Sequence, residues 1–400
     1  MNKLRHSLNK KLHTLARKLL EKSLSTQSIG VLGGGSGVAL FHFYYATFAN
    51  NEEHYAKGIK NIEEIFNKIQ DGYTRPTFCD GIAGACWVLE LLKEERIVDI
   101  DEDIISIDVD EYLLNCMIRD MKHGNFDFLH GAVGYGFYFL KRYQNTVSHD
   151  AKLRYKKYIS ILVSLLIETR VFYKDMMWWK SSIEIENVTY HGFNLGLAHG
   201  IPSILNFFSR LVSIDDFRKQ VEPLMMPIAR SILSTQHKNS TLTSSFPKFS
   251  SQNIMNETNS RLAWCYGDLG IGISLWRAST VLNNKNLKQK AISILERTTK
   301  RRSPQETYIV DANVCHGAFG VMHIYDWIYR STSNTLFKDV SKHWARIGVK
   351  LTKTTKEVPL HMNKEENDDC ILIGDSGIGL VLLSNLSEKR IKWDEALLIT

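Results

Sequence analysis

The stretch Gly267-Asp-Leu-Gly-Ile-Gly-Ile-Ser-Leu-Trp276 joins a Gly-x-x-Gly motif to an apolar run, and this combination recurs along the chain. A seventh, degenerate copy, Gly200-Ile-Pro-Ser203, has lost its second glycine. At ordinary glycine usage roughly one or two such spacings would arise by chance, so seven in order indicate an internal repeat. The six complete copies begin at Gly34, Gly81, Gly131, Gly267, Gly317 and Gly374.

Each interval between motifs is long enough for two helices and their connections. The run after a motif, such as Ala85–Lys93, is apolar on most faces and predicts an inner helix. Between motifs, Ile59, Ile62, Phe66 and Ile69 recur at helical spacing and predict an amphipathic outer helix. We therefore predict an all-α fold, an α/α toroid (barrel) of seven inner/outer helix pairs, in which the glycines let the inner helix starts approach one another.

The spacing of the motifs also predicts the domain organisation. The intervals of 69 and 67 residues exceed the others, so we expect insertions within residues 141–190 and 206–260. The second of these regions is rich in Ser, Thr and Asn, which suits a small β-containing insertion. The catalytic toroid is predicted to span residues 28–400. The glycines at 33–37 lack the Gly-Lys-Ser/Thr ending of a phosphate loop and keep the repeat register, so a nucleotide site is rejected.

Positive charge is concentrated at the start of the chain, before the first motif. Residues 1–22 hold seven Lys and Arg against the single acid Glu21, whereas the rest of the chain is near neutral despite a net charge of +7. This distribution argues against a nucleic-acid partner. Residues 1–27 are predicted to form a basic amphipathic helix, either an outer helix with a solvated basic face or a contact to a membrane surface or acidic partner. The leucines that share one face of this helix are Leu4, Leu8, Leu12, Leu15 and Leu19.

No apolar stretch is long enough to cross a bilayer, and the start of the chain lacks the apolar core of a secretory signal. We therefore expect a cytoplasmic protein, in which metal binding by cysteine is more common than disulfide formation. Of the six cysteines, Cys86, Cys116 and Cys370 are interpreted as structural, and Cys79 belongs to a repeat far around the predicted ring.

Positions just before the motifs are expected to line the centre of the toroid. Cys265 lies at this position in repeat five, and Cys315 and His316 lie there in repeat six. Two thiolates and one imidazole form a catalytic zinc set with an open fourth position. A lone cysteine is more often a small buried apolar residue. Three ligands at equivalent positions of adjacent repeats nevertheless predict a metal-binding site.

The same positions of repeats three to five carry other polar and aromatic side chains. His199 precedes the fourth motif, and Asp127 precedes the third. The substrate-pocket candidates are Trp264, Tyr266 and His130. A purely structural role remains an alternative for two residues: Asp127 as a helix cap and Arg261 as a residue that stabilises a loop.

Four segments resemble motifs of the lanthionine synthetase C-like family, and the resemblance extends from about Ser28 to Leu386. The chain length is similar to that of the stand-alone cyclases of class I lantibiotic (lanthipeptide) pathways. The specific pair is Trp264-Cys-Tyr-Gly-Asp-Leu-Gly270 and Cys315-His-Gly-Ala-Phe-Gly320, and the matching segments are Gly196-Leu-Ala-His-Gly200 and Gly374-Asp-Ser-Gly-Ile-Gly379.

The resemblance implies a lanthionine synthetase, a peptide-modifying cyclase with one Zn²⁺ held by Cys265, Cys315 and His316. A substrate cysteine would take the open position, and its thiolate would add to the β-carbon of dehydroalanine or dehydrobutyrine to form a thioether ring. His199 is implied as the acid/base and Asp127 as its support. Arg261 matches the family's site segment and could stabilise the enolate oxygen.

The implied partners are a dehydrated precursor peptide with its leader segment, a dehydratase and a transporter, in a complex at the inner membrane face. Two alternatives stay open. One is a non-catalytic zinc scaffold that binds peptide or glutathione, against which His199 and Asp127 argue because binding needs no proton donor. The other is a thiol-alkylating zinc enzyme of the prenyltransferase type, whose Asp, Cys and His ligands differ from the two cysteines and one histidine here.

Overall fold

The computed structural model of the chain describes residues 2–24, 26–101, 104–185, 188–239, 241–251, 258–354 and 369–400. Part of the region expected to contain an insertion, residues 240 and 252–257, lies outside the described residues. The chain divides into two compact units. The first comprises residues 1–109 and 310–400, and the second comprises Asp110–Ile309. Among the described helices, none is long and apolar enough to span a membrane.

The described part of the first unit is helical. Its elements are α1 (Asn2–Glu21), α2 (Gly35–Ala49), α3 (Glu52–Gln70), α4 (Ile82–Glu94), α13 (Ala318–Thr332), α14 (Thr335–Thr354), α15 (Asp375–Leu386) and a short 3-10 helix (Trp393–Leu397).

The second unit combines helices with short strands, and α5 begins just before its boundary. The helices are α5 (Ile107–Lys122), α6 (Ala132–Asn145), α7 (His149–Thr169), α8 (Ile201–Leu211), α9 (Asp215–Ser234), α10 (Asp268–Val281), α11 (Lys285–Thr298) and α12 (Pro304–Thr307). The strands are β1 (Val171–Tyr173), β2 (Met176–Trp178), β3 (Ser181–Ile185), β4 (Val188–Asn194) and β5 (Phe249–Ser250).

A buried inner helix and a half-exposed outer helix alternate, as the repeat predicts. In the first unit α2 packs against α3 and α13 against α14, and in the second α6, α8 and α10 pack against α7, α9 and α11. The whole of α2 from Gly35 to Ala46 is buried, whereas α3 buries four residues along its inner face. The first glycine of each motif is the residue before an inner helix, as Gly34 is for α2.

The motif glycines are required because the loop before each inner helix folds back onto the helix start. A side chain at Gly320 would collide with the carbonyl oxygen of Val314, and one at Gly84 would collide with that of Phe78. Gly267 has a φ of +100°, a conformation that residues with a side chain rarely adopt. These contacts explain why six of the seven copies keep glycine at both ends of the motif.

Hydrogen bonds join these loops to one another within the first unit. The backbone N–H of Gly33 donates to Cys79 O at 2.9 Å, that of Leu372 to Leu32 O at 3.1 Å, and that of Cys315 to Leu372 O at 2.8 Å. The loops of repeats two, one, seven and six therefore follow one another in space. Repeat seven lies beside repeat one, although their motifs are at opposite ends of the sequence.

Helix α1 lies against α15 and also contacts α14. Four of its leucines are buried, with exposed fractions of 0 to 3%, and these are Leu8, Leu12, Leu15 and Leu19. Lys18 of α1 forms an ion pair with Asp375 at the start of α15, and Lys22, which follows α1, forms one with Asp369. The apolar face therefore packs on protein, and α1 acts as the outer helix beside α15.

The strands form two small antiparallel sheets in the second unit. Strands β1 and β2 form a hairpin, and β4 lies between β3 and β5. Of the five strands in the described residues, four lie between residues 171 and 194, and β5 lies at residues 249–250. The small β-containing element expected from the sequence is thus present, with most of its strands in the earlier region.

Candidate active site

The loop before α8 presents His199 to Asp127, which lies in the loop before α6. Nδ1 of His199 lies 2.7 Å from Oδ2 of Asp127. The other carboxylate oxygen, Oδ1, accepts hydrogen bonds from the backbone N–H groups of Leu129 at 2.7 Å and His130 at 2.9 Å. Asp127 therefore stabilises its own turn with one oxygen and orients His199 with the other.

The electrostatics of this pair favour a protonated imidazole. Burial by itself lowers the pKa of His199, but the hydrogen bond and charge of Asp127, with a further contribution from Cys265, raise the pKa above its ordinary value. Burial raises the pKa of Asp127, yet the His199 contact and the backbone N–H of His130 hold the pKa below its usual range. Such a histidine can hold a proton near neutral pH and give it to a substrate.

Two rings flank His199. The imidazole of His130 is stacked at a centroid distance of 6.0 Å, and the phenol ring of Tyr266 at 5.7 Å. Asn194 Nδ2 donates a hydrogen bond to the Tyr266 hydroxyl at 3.2 Å and so fixes that ring. Two of the predicted pocket residues, His130 and Tyr266, are therefore in contact with the predicted acid/base.

The loop before α10 carries Cys265 close to His199 in the same unit. The backbone N–H of Ala198 donates to Cys265 O at 3.3 Å, and Cys265 contributes to the raised pKa of His199. The neighbouring Trp264 is 1% exposed, so its side chain supports the loop from the core. Arg261 begins the loop with an exposed side chain.

In the first unit, the loop before α13 carries Cys315 and His316. Their candidate ligand atoms lie within 4.8 Å of one another, and both residues are partly exposed. Nε2 of His316 lies 3.4 Å from Oδ2 of Asp311 and 3.4 Å from Nδ2 of Asn313. Asp311 and Asn313 thus hold one edge of the imidazole, an arrangement that suits metal ligation through Nδ1.

A cavity of about 980 Å³ lies in the second unit and reaches the His199–Asp127 pair. The loop that follows α5 forms one side, and residues of β3, β4 and β5 form the other. Polar side chains such as Lys180, Ser182 and Ser251 line it. Its volume is at the upper end of the range for small-molecule sites, and its polar lining offers several hydrogen-bonding groups.

Sequence reasoning missed the Asn or Asp residues that lie six positions before three of the motifs. Asn194 orients Tyr266 and also accepts a hydrogen bond from the Gly196 N–H, and Asp311 accepts one from Asn313 N–H while it contacts His316. Asn125 holds the equivalent position before Gly131 and donates to His130 O. The repeated Asn or Asp at this offset is a sequence signal that could have identified them.

The chain is similar in sequence to one protein family and to a curated protein. A family model described as "Lanthionine synthetase C-like protein" matches residues 26–398. The curated protein "Nisin biosynthesis protein NisC" from Lactococcus lactis subsp. lactis is 23% identical over 373 residues, which cover 88% of this chain and 84% of that protein.

A solved structure named "Nisin cyclase" shares the fold. It matches with a TM-score of 0.74 at 18% identity and covers 100% of this chain and 98% of its own. That fold is an α/α toroid, so the fold class predicted from the glycine repeat is confirmed.

Proposed function

Because its family model matches residues 26–398, this chain belongs to the lanthionine synthetase C-like protein family, and we propose that it is a lanthipeptide cyclase. In this proposal it joins cysteine thiols to dehydrated Ser or Thr residues of a precursor peptide, forming lanthionine or methyllanthionine. The observation that carries the proposal is the His199–Asp127 pair, which lines a polar cavity, while the residue before His199 is hydrogen-bonded to Cys265. Addition of a thiolate to a conjugated double bond gives an enolate, and a proton donor such as His199 must then protonate its α-carbon.

We propose that Cys265, Cys315 and His316 hold one zinc ion. Sulfur and imidazole are ligands that zinc prefers, and three protein ligands leave a fourth position for a substrate thiol. His316 suits this role because Asp311 and Asn313 fix its ring, as outer-sphere groups do for metal-binding histidines. Zinc bound there would lower the pKa of the substrate thiol and keep it as the thiolate.

In the proposed step, the thiolate forms a carbon–sulfur bond to the β-carbon of the dehydro residue. The electron pair of the carbon–carbon double bond then shifts towards the carbonyl oxygen of that residue. The exposed Arg261 is the proposed partner of that developing oxyanion. His199 gives its proton to the α-carbon, and the proton released by the next substrate thiol restores the imidazolium. Asp127 fixes the tautomer that this exchange needs.

The cavity is the proposed binding site of the precursor peptide. Lys180, Ser182 and Ser251 supply donors and acceptors for a peptide backbone on the way to His199. A leader segment on the precursor, a partner dehydratase and transporter, and a cytoplasmic location at the inner membrane face belong to the same proposal. Their support is the family resemblance.

Incubation of the purified protein with a dehydrated precursor peptide tests the activity. Ring closure leaves the peptide mass unchanged, so free thiols are alkylated afterwards and counted by mass spectrometry. We expect one fewer alkylated thiol for each ring formed. A protein that binds zinc and peptide but leaves the thiol count unchanged would favour the non-catalytic scaffold.

A further inference from the structure

A buried aspartate and a buried arginine lie beside the loop that carries Cys265. Asp268, the first residue of α10, is 0% exposed, and Arg301, which follows α11, is 2% exposed. Charged side chains rarely lie this deep unless other groups compensate the lost hydration. Neither residue has a part in the proposed chemistry, so the cost of burying them points to another role.

Asp268 fastens a second segment of chain to the start of α10. Its Oδ2 accepts a hydrogen bond from the Ser245 N–H at 2.7 Å, and its Oδ1 accepts one from the Phe246 N–H at 3.0 Å. Oδ2 also lies 3.7 Å from Nη1 of Arg301. The carboxylate thus joins residues 245–246, α10 and Arg301 at one point.

Arg301 continues this network to both sides of the Cys265 loop. Its guanidinium donates to the carbonyl oxygens of Ser260 and Glu306. Two further hydrogen bonds reinforce the same region, from Ser260 N–H to Ser244 Oγ at 3.0 Å and from Leu262 N–H to Thr307 O at 3.0 Å. Residues 261–267, which include Cys265, are therefore fixed at both ends, by Arg301 and by Asp268.

Repeat seven provides an internal comparison. Asp375 occupies the same motif position in Gly374-Asp-Ser-Gly377 as Asp268 does in Gly267-Asp-Leu-Gly270. Its side chain is 18% exposed and pairs with Lys18 on α1. The motif alone therefore does not require a buried aspartate, and the burial of Asp268 is specific to the repeat that carries Cys265.

We propose that Asp268 and Arg301 are positioning residues that hold the 261–267 loop, and with it the Cys265 thiol, in place beside His199. This inference rests on the proposed function for the consequence that the loop geometry governs zinc affinity. The anchoring of Cys265 itself does not depend on any metal. The two levels can therefore be tested separately.

The test uses the full chain with Asp268→Asn and Arg301→Lys, and with Asp375→Asn as the matched control. Asn places an N–H₂ group in an environment built from N–H donors, and Lys loses the forked contact with Ser260 O and Glu306 O. The first readout is the rate at which iodoacetamide alkylates Cys265 in metal-free protein, followed by peptide mass spectrometry. The second is zinc affinity by competition with a chromophoric chelator, together with the thiolate-to-cobalt absorption of the Co²⁺-loaded protein.

We expect iodoacetamide to alkylate Cys265 several-fold faster in both variants than in the parent. Both variants should also bind zinc about tenfold more weakly and show a shifted cobalt absorption band. Asp375→Asn should match the parent in all three. A lower melting temperature with unchanged alkylation, affinity and spectrum would reduce the pair to general stability and overturn the proposal. Faster alkylation in a protein that binds no zinc would keep the anchoring role and reject the metal site instead. If Asp268→Asn does not fold, Arg301→Lys decides between these outcomes.

Discussion

Asp127 divides its carboxylate between its own turn and His199, with Oδ2 at 2.7 Å from Nδ1 of the imidazole. A change at either residue should therefore alter proton transfer and leave the zinc ligands in place. We predict that His199→Asn and Asp127→Asn each cyclise about 10²- to 10⁴-fold more slowly with unchanged zinc content. Single-turnover thiol counting and elemental analysis measure the two quantities.

The control for this prediction is His149→Gln, an exposed histidine at the start of α7 that should behave as the parent. Loss of zinc from either active-site variant would make that residue a ligand. A parent-like rate in both would mean that solvent or another group delivers the proton.

The metal prediction is about one zinc per chain, lost on replacement of a ligand. Cys315→Ala should purify with little zinc because two remaining ligands hold the ion poorly. Cys370→Ala is the control, because burial raises the pKa of that thiol to about 11 and disfavours the thiolate that a metal needs. Equal zinc in Cys315→Ala and in the parent would remove Cys315 from the ligand set.

Asp311 should tune zinc affinity through His316 without binding the metal itself. Its Oδ2 lies 3.4 Å from Nε2 of His316. Replacing an outer-sphere carboxylate of this kind typically weakens metal binding by about 10- to 100-fold. We predict this loss for Asp311→Asn in a chelator competition, with full occupancy at saturating zinc. Asp326→Asn is the control, because this partly exposed carboxylate of α13 pairs with Arg330. An unchanged affinity for Asp311→Asn would show that the ring is oriented by other contacts.

The glycine repeat made the helical fold predictable because its requirement is local. Each motif must let a loop carbonyl approach a helix start, as Val314 O does at Gly320, and this leaves a pattern that one sequence reveals. The pre-glycine positions followed from the same register. His130, His199 and Tyr266 were singled out in this way and lie together in the structure.

Residues whose role depends on distant contacts were not predictable. Asp268 looked like one more motif residue, and its partner Arg301 lies in a connection with no recognisable pattern. The β-containing region was expected mainly after residue 206, because Ser and Thr density suggested it. Most strands instead lie in the aromatic segment around Phe172 and Trp178, where pairing between strands decides the structure.

The first helix should contribute to stability through its leucines and little to catalysis through its cations. Leu12 is 0% exposed on the face of α1 that packs on α15, so Leu12→Ala should lower the free energy of unfolding by about 2–5 kcal/mol. Lys10→Ala, on the exposed face, should change it little. Urea denaturation measures both. An unchanged free energy of unfolding for Leu12→Ala would mean that α1 detaches readily from the first unit.

The triple variant Lys3→Gln, Lys10→Gln, Arg17→Gln tests the basic face of α1 separately. It removes exposed charge while the leucine contacts remain. We expect parent-like cyclisation in solution, because these three side chains precede every Gly motif and none belongs to a loop that carries a proposed site residue. A large loss of activity with the fold intact would assign the basic face a direct part in the reaction.

A buried histidine pair in the first unit should make stability fall in mild acid. His42 and His54 are 0% and 3% exposed, and their Nδ1 atoms lie 2.8 Å apart, so one ring donates and the other accepts. Burial, with added repulsion from His54 and Lys57, lowers the pKa of His42 to about 3. Burial lowers the pKa of His54 to about 4. Both rings are therefore neutral in the folded protein at any pH above these values.

In the unfolded chain both histidines take up protons below a pKa of about 6.5, whereas the folded protein does not until the pH approaches 4. The contribution of the two neutral, buried rings to the free energy of unfolding is thus complete above pH 6.5 and is lost as the pH falls towards 4. When the pH falls from 7.5 to 5, each histidine should lower the free energy of unfolding by about 2 kcal/mol, which is about 1.36 kcal/mol for each pH unit below 6.5. The measurement is the unfolding free energy from urea titrations at the two pH values.

The double variant His42→Phe, His54→Met tests this origin, because it removes both titrating rings and leaves no unpaired partner of their hydrogen bond. Its loss of unfolding free energy in acid should be smaller than that of the parent by most of this amount. His149→Gln, which replaces an exposed ring, should lose as much stability as the parent. If the double variant and the parent lost equal stability in acid, the pair would already be charged or accessible to water in the folded protein.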